Sequence, residues 1–129
     1  MMDRFETEIE AAKAVMAQHI TALNARDEDA LLQTLHFPHH RLSGADLKTW
    51  PDGAAYFADF KTRAGSEWGY SEAEVVKVLR ASSEKVHLDV EIRRFRADGT
   101  LIKSFPSLWV FIQSDRRWGA AIRSSFAGD

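Results

Sequence analysis

The sequence contains no cysteine, which excludes disulfide bonds, thiolate nucleophiles and cysteine-based zinc sites together. It also lacks any uninterrupted apolar stretch close to the roughly 20 residues that a membrane-spanning helix needs. The residues from Met1 to Glu6 lead into a polar helix, without the apolar core that a secretory signal carries behind its basic residues. A chain without cysteine fits a reducing compartment, so we expect a cytoplasmic protein without a membrane partner.

Charge of one sign is not concentrated anywhere in the chain. The formal net charge is −2 at pH 7 and no basic stripe stands out, so nucleic-acid binding has no electrostatic support. A nucleophile elbow, a phosphate loop, a dinucleotide fingerprint and a paired-carboxylate motif are also missing. We therefore expect no covalent catalysis, no nucleotide chemistry and no cofactor.

The remaining composition is the ordinary mixture of a globular protein. The 129 residues are 45% hydrophobic and 28% charged, which is enough apolar material for a hydrophobic core and argues against disorder. No internal repeat, low-complexity tract or linker interrupts the chain. Residues 1–129 are therefore predicted to form a single domain.

Helical patterns occupy the first half of the chain. Apolar residues at three-to-four spacing predict a helix over about residues 3–25, with Asp3 and Glu6 in a capping-box-like arrangement at its start. A second helix is predicted over about residues 28–36, with Asp27 as its N-cap.

Prolines set the next boundaries. Pro38 is expected to stop the second helix, and two short extended segments are expected at 39–43 and 46–50. Pro51 suits the first turn of a third helix, which is predicted to run to about Arg63.

From about residue 70 the apolar period changes from that of a helix to that of a strand. Four β-rich runs follow, at 72–81, 85–96, 100–113 and 117–126. In the clearest run, apolar residues from Val86 to Ile92 alternate with polar ones, which predicts one buried and one wet face. Asp98-Gly99 between two runs is a strong hairpin signal. The run from Leu108 to Ile112 is apolar on both faces, so we expect helices to cover one face and a second subunit of a homodimer to cover the other.

Two parts of this pattern resemble nuclear transport factor 2-like proteins. One closes the first helix and caps the second: Ala22-Leu23-Asn24-Ala25-Arg26-Asp27. The other is similar to the last two strands of that family: Trp109-Val110-Phe111 and Asp115-Arg116-Arg117-Trp118-Gly119. The resemblance covers nearly the whole chain. It implies an α+β fold, a cone-shaped α+β barrel with three N-terminal helices packed on a curved, mostly antiparallel sheet, a pocket at the open end and homodimers through the outer sheet face.

The resemblance does not by itself select a function. The superfamily includes ketosteroid isomerases, scytalone dehydratases, SnoaL-type polyketide cyclases and domains without catalysis. Anchored on the segment 23–27, a comparison with ketosteroid isomerase places its oxyanion tyrosine at His19 and its general-base aspartate at Ser43. A serine hydroxyl is a poor base unless it is activated, and the nearest downstream carboxylate is Asp46. Steroid isomerisation is therefore implied only if a gap brings Asp46 to the base position.

His19 is the candidate catalytic residue. It lies one turn from Val15 and Leu23, beside the apolar stripe of the first helix. It is either a histidine satisfied at the core edge, or a pocket residue that acts as an acid/base or donates to a ligand oxygen. His39 and His40 point to opposite faces of a strand, so we expect no shared metal site, although one of them could reach the pocket.

Seven residues are candidates for ligand binding. Five are aromatic, and each is either a core residue or part of a cavity wall for a small apolar ligand: Trp50, Tyr56, Phe60, Trp68 and Trp109. Arg94 continues the inward alternation of residues 86–92, and Arg123 has a similar place in the last run. Each arginine either recognises a carboxylate or enolate oxygen, or is an exposed or salt-bridged strand residue.

Two functions remain open at this point. The first is a small-molecule-pocket protein of the SnoaL-like type, which binds a hydrophobic or aromatic ligand with or without weak isomerase-, cyclase- or dehydratase-like chemistry. The second is a non-catalytic homodimeric interaction module with a filled cavity. An open cavity on the order of several hundred Å³ with His19 on its wall would favour the first, and a packed interior the second.

Overall fold

The computed structural model describes residues 2–127, apart from the side chains at positions 2, 3, 61, 63 and 64. A short 3-10 helix, Met2–Phe5, leads into the first α-helix. The three α-helices are α1 (Glu6–Ala25), α2 (Glu28–Leu32) and α3 (Gly53–Ala64). The six strands are β1 (Leu35–Ser43), β2 (Asp46–Trp50), β3 (Tyr70–Ala81), β4 (Lys85–Phe95), β5 (Leu101–Ser114) and β6 (Arg117–Ser125).

The strands form one curved, open sheet in the order β2-β1-β6-β5-β4-β3. Each neighbouring pair is antiparallel except β1 and β6, which run parallel. The last four strands form a meander, and Asp98-Gly99 turns the chain between β4 and β5 as predicted. Gly99 has φ 91° there, a left-handed conformation that costs glycine no Cβ clash. The mixed α+β class and the mostly antiparallel sheet are confirmed.

The core lies between α1 and one face of the sheet. Alternate residues of β4, from Val86 to Ile92, are buried as predicted, and Trp109 and Phe111 of β5 are buried beside them. Residues of α1 at helical spacing face them: Ile9, Ala12, Val15, Met16, His19 and Ala22. Burying one large aliphatic or aromatic side chain contributes about 1.5–3 kcal/mol, so this interface fixes α1 across the sheet.

Three helix boundaries differ from the sequence prediction. The helix α1 begins at Glu6, and its N-cap is Phe5 without a side-chain hydrogen bond; the side chain of Asp3, the predicted cap, lies outside the described part of the chain. The prediction that Pro51 lies in the first turn of α3 was wrong. Asp52 is the N-cap of that helix and its carboxylate accepts a hydrogen bond from the Ala55 N–H, which leaves the proline outside.

The helix α2 is shorter than predicted because the chain joins the sheet at once. It ends at Leu32, and Leu35 already pairs with Ala120 of β6. Pro38, predicted to stop the helix, lies within β1 and follows a cis peptide bond. Asp27 caps α2 as predicted, since its carboxylate accepts a hydrogen bond from the Ala30 N–H at 3.1 Å.

The outer face of β5 is apolar, as the run from Leu108 to Ile112 predicted. Leu108, Val110 and Ile112 are half-buried, whereas Trp109 and Phe111 point into the core. None of the helices described by the structure is long and apolar enough to cross a membrane. The predicted cytoplasmic location stays a prediction.

Candidate functional site

A partly open cavity of about 320 Å³ lies between the helices and the inner face of the sheet. Its walls combine aromatic and aliphatic side chains with serines, one histidine and three arginines. The lining residues are His19, Ile20, Leu23, Arg41, Ser43, Tyr56, Phe60, Trp68, Ser71, Ile92, Arg94, Phe105, Ser107, Trp109, Arg123, Ser125 and Ala127. A second hollow, of about 390 Å³, lies between α1 and the strands β3 and β4, but its lining contains no buried polar side chain. The first cavity is therefore the candidate site.

The two-residue period of the strands builds the floor of this cavity. Side chains two apart on a strand share a face, and each of four strands sends such residues into the cavity. They are Arg41 and Ser43 of β1, Ile92 and Arg94 of β4, Phe105, Ser107 and Trp109 of β5, and Arg123 and Ser125 of β6. The register of the sheet thus decides which polar groups meet there.

His19 projects from α1 into the wall and is almost fully buried. Its Nδ1 lies 2.8 Å from the Thr34 hydroxyl oxygen, and that hydroxyl donates to the carbonyl of Leu31 at 2.6 Å. Because the hydroxyl has only one hydrogen to donate, it accepts from His19, whose Nδ1 therefore carries a proton. The lone pair of the neutral ring is then on Nε2. The imidazole packs edge-on against Trp109, with ring centroids 5.1 Å apart.

Arg123 is held by aromatic neighbours. Its Nη2 donates to the Tyr56 hydroxyl oxygen at 3.3 Å, and its guanidinium carbon lies 5.0 Å from the ring centroid of Trp109. Only 8% of the residue is exposed. Cation–π contact offsets part of the cost of burying a charge, so the guanidinium has a defined position in the wall.

The cationic side chains also occupy neighbouring register positions. Arg41 of β1 is the direct partner of Arg123 in β6, and Arg94 of β4 is the direct partner of Lys103 in β5. Lys103 donates to the backbone carbonyl of Ala127 at the rim. Among the lining residues that the structure describes, none is an aspartate or a glutamate. Three guanidinium groups thus lie on the cavity side of the sheet.

The segment after α1 fixes the Trp68 wall. The side-chain amide of Asn24 makes two hydrogen bonds of 2.8 Å to the backbone N–H and C=O of Ser71 in β3. Arg26 donates to the carbonyl of Gly69 at 2.7 Å and lies over the Trp68 ring, with its guanidinium carbon 4.2 Å from the ring centroid. The Trp68 indole N–H donates to the Ser71 hydroxyl at 2.9 Å. These contacts join α1 to the start of β3 beside the cavity.

Comparison with known proteins relates the chain to solved structures only. No family model matches it, and no curated protein matches it. An NTF-2 like protein of unknown function from Shewanella oneidensis superimposes with a TM-score of 0.75 at 15% identity, over 92% of this chain and 98% of that one. A ketosteroid isomerase-like protein from Erwinia carotovora atroseptica gives a TM-score of 0.69 at 18% identity, over 95% and 97% of the two chains.

A third solved structure, an NTF2-like protein of unknown function from Pseudomonas putida, gives a TM-score of 0.70 at 14% identity. The match covers 95% of this chain and 85% of that one. The chain has the nuclear transport factor 2-like fold. At these identities the likeness establishes the fold alone, so the chemistry of the cavity depends on this chain's own residues.

Within this fold, seven of the eight predicted site residues line the cavity. They are His19, Tyr56, Phe60, Trp68, Arg94, Trp109 and Arg123. Trp50 does not: it packs against Tyr56 and His39, and its indole N–H donates to Asp59 at 3.2 Å. Trp50 is therefore a core residue, the other of the two positions considered for it, and its register partner in β1 is the buried His39.

Of the remaining polar candidates, some line the cavity and others do not. His39 is fully buried and bonded to the carbonyl of Ala120, whereas His40 faces outward and bonds the Thr49 hydroxyl. The prediction of opposite faces is confirmed, but His39 lies behind the cavity lining. Ser43, where the resemblance places the base, lines the cavity, and Asp46 is exposed outside it. Among the side chains that the structure describes, no group of three or more acidic or histidine residues is arranged to hold a metal ion.

Arg41 is the charged cavity residue that sequence analysis missed. The inward position of His39 and the two-residue period of β1 place Arg41 and Ser43 on the cavity face. Once His39 is known to point inward, the two-residue period predicts that Arg41 points inward as well. The sequence alone does not show which of His39 and His40 points inward. Ser71, Ser107 and Ser125 were missed as well, since small polar residues on a strand give no pattern of their own.

Proposed function

We propose that this protein binds a small hydrophobic or aromatic molecule in the cavity between α1, α3 and the inner face of the sheet. The observation that carries the proposal is the cavity of about 320 Å³, since small-molecule sites occupy about 300–1,000 Å³ and combine apolar walls with a few polar groups. Tyr56, Phe60, Trp68 and Trp109 supply flat apolar surface, and the nearby arginines supply donors. A module with a filled interior would not retain this space.

We also propose weak acid/base chemistry at His19. With the proton of the neutral ring on Nδ1, the lone pair on Nε2 accepts a proton, so neutral His19 suits a general base better than an oxyanion donor. One structural neighbour is described as ketosteroid isomerase-like, which is consistent with proton transfer as the reaction class. Ser43 stands where the resemblance places the base aspartate, so the proposal does not extend to steroid isomerisation.

A homodimer through the outer face of the sheet is part of the proposal. Val110 pairs with Ile122, and Leu42 pairs with Leu47; Ile122 is 44% exposed and Leu47 is 64% exposed. These residues form the outer apolar patch, together with Leu108 and Ile112. Burial of such a patch against a second copy is favourable by about 25 cal/mol per Å² of apolar surface. The alternative function is the dimer alone, as a non-catalytic interaction module.

The experiment is native mass spectrometry and calorimetric titration with one- and two-ring aromatic compounds. Ala127→Trp places a large side chain at the cavity rim, and Phe126→Trp adds similar bulk at an exposed neighbour that does not line the cavity. We expect bound compounds to be lost from the Ala127 variant and kept by the Phe126 variant. Equal binding by both variants, or no binding by the unmodified protein at millimolar compound, would reject the pocket and leave the interaction module.

A further inference from the structure

A small cavity among the three helices, the side cavity, adjoins the proposed ligand site, the main cavity. The side cavity has a volume of about 120 Å³, and its lining residues are Ala22, Leu23, Arg26, Asp27, Glu28, Leu31, Phe57 and Phe60. Among the lining residues that the structure describes, Leu23 and Phe60 belong to both cavities. These two side chains therefore form a partition between the main cavity and the side cavity.

The side cavity has an apolar floor and a charged mouth. Ala22 and Leu31 are almost fully buried, and Phe57 packs against the hydrophobic core. The charged residues of the lining are exposed: Arg26, Asp27 and Glu28. An apolar cavity of about 150 Å³ is large enough to bind benzene. The side cavity is therefore of the size and character that suit a short alkyl group.

The two side chains of the partition come from different helices and are both held by packing. The Phe60 ring of α3 stacks on Tyr56, with ring centroids 6.4 Å apart and an angle of 15° between the planes. It meets Phe57 and Trp68 edge-to-face, with centroids 6.4 Å and 6.1 Å away. Leu23 of α1 packs against the core. Because aromatic pairs at these distances attract each other, swinging the Phe60 ring aside is unfavourable and the partition stays in place.

We propose that Leu23 and Phe60 determine the length of the ligand by closing the main cavity against the side cavity. This inference rests on the proposed small-molecule function and adds a selection by size. The protein takes compact one- or two-ring molecules and gains little from an alkyl tail beyond the ring. Removal of either side chain joins the two cavities, and the side cavity then accepts the tail. Each buried CH₂ group strengthens binding about fourfold.

The test compares 2-naphthol with 6-butyl-2-naphthol by calorimetric titration. The two compounds share their rings and hydroxyl group, so the ratio of their dissociation constants isolates the effect of the tail. In the unmodified protein we expect the butyl group to strengthen binding by less than about fourfold, the effect of one buried CH₂ group. In Phe60→Ala we expect this ratio to rise at least tenfold. Both compounds lose the same ring contact with Phe60, so that loss cancels in the ratio.

Two further variants separate the partition from general loosening of the helices. Phe57→Ala is the matched control, because it makes the same change on the same helix and Phe57 lines the side cavity but not the main cavity. We expect it to keep the ratio of the unmodified protein. Leu23→Ala opens the partition from α1 and is expected to reproduce the effect of Phe60→Ala, so the test stays decisive if loss of the Phe60 ring disturbs α3.

The contrary outcomes distinguish this inference from the proposed function. A ratio that neither Phe60→Ala nor Leu23→Ala raises would overturn the partition and leave the pocket function standing. A tenfold gain from the tail in the unmodified protein, or an equal gain in Phe57→Ala, would overturn it in the same way. Binding of neither naphthol to the unmodified protein or to any variant would reject the pocket itself.

Discussion

The Nδ1 atom of His19 lies 2.8 Å from the hydroxyl oxygen of Thr34, in a buried contact that joins α1 to the start of β1. Thr34 in turn donates to the carbonyl of Leu31. This chain of two hydrogen bonds fixes both the position of the ring and the nitrogen that carries its proton. The acid/base proposal therefore depends on a residue that does not itself line the cavity.

Replacing Thr34 by valine is expected to lower the free energy of unfolding by about 1–3 kcal/mol, since a buried imidazole N–H loses its acceptor. The proton of His19 should also shift toward Nε2, which nitrogen chemical shifts detect. Thr49→Val is the matched control, because Thr49 makes the same contact with His40 at 2.9 Å on the exposed face. We expect Thr49→Val to lower the free energy of unfolding by less than about 0.5 kcal/mol. Equal losses for both variants would mean that burial of the His19–Thr34 contact contributes nothing.

Asn24 is predicted to hold the Trp68 wall. Asn24→Ala removes two hydrogen bonds to the Ser71 backbone and is expected to cost about 1–3 kcal/mol in urea denaturation. Asn24→Asp keeps an acceptor for the Ser71 N–H but loses the donor, so its stability should be intermediate. A red shift of tryptophan emission should accompany the loss in the alanine variant. An alanine variant as stable as the unmodified protein would contradict the assignment.

The strands were predictable because their pattern is local. From Val86 to Ile92 the side chains alternate in character, and the observed burial follows that alternation. The path of the chain after α2 was not predictable, because β1 pairs with β6, about eighty positions away: Leu35 lies opposite Ala120. Because Leu35 pairs with a distant strand, it joins the sheet although the local sequence pattern predicts a helix at this position.

The candidate site was predictable to the extent that it follows from alternation and aromatic content. Arg94 was found because the inward alternation from Val86 to Ile92 could be counted as far as its position, whereas Arg123 was named only from its similar place in the last run. Arg41 was missed because the face of β1 that points inward is decided by its pairing with β2 and β6. No local signal distinguishes the inward from the outward residues of that strand.

His87 predicts a pH dependence of stability. Burial, and secondly the charge of Lys85, lower the pKa of His87 from its ordinary value of 6.5. The unfolded chain therefore binds more protons between the two pKa values, so stability is complete above about pH 6.5 and falls as the pH decreases from there toward the folded-state pKa. Arg80 of β3 is the register partner of His87.

We expect His87→Gln to flatten the decline in thermal stability between pH 7 and 5. Lys85→Gln is expected to reduce that decline less, because burial is the larger cause of the pKa shift. An unchanged slope in His87→Gln would show that other groups control it.

The outer apolar patch predicts how the dimer can be separated. Ile122 is 44% exposed and pairs with Val110 in the middle of the sheet, so Ile122→Glu would place an unpaired carboxylate within the proposed interface, where burial of the charge is costly. We expect sedimentation at micromolar concentration to change from a dimer to a 14.6 kDa species, with little effect on the free energy of unfolding of the monomer. Leu101→Glu is the control, because Leu101 is 51% exposed at the distant end of β5. A dimer that survives Ile122→Glu and is lost with Leu101→Glu would move the interface to the end of the sheet. A monomeric unmodified protein would reject the dimer.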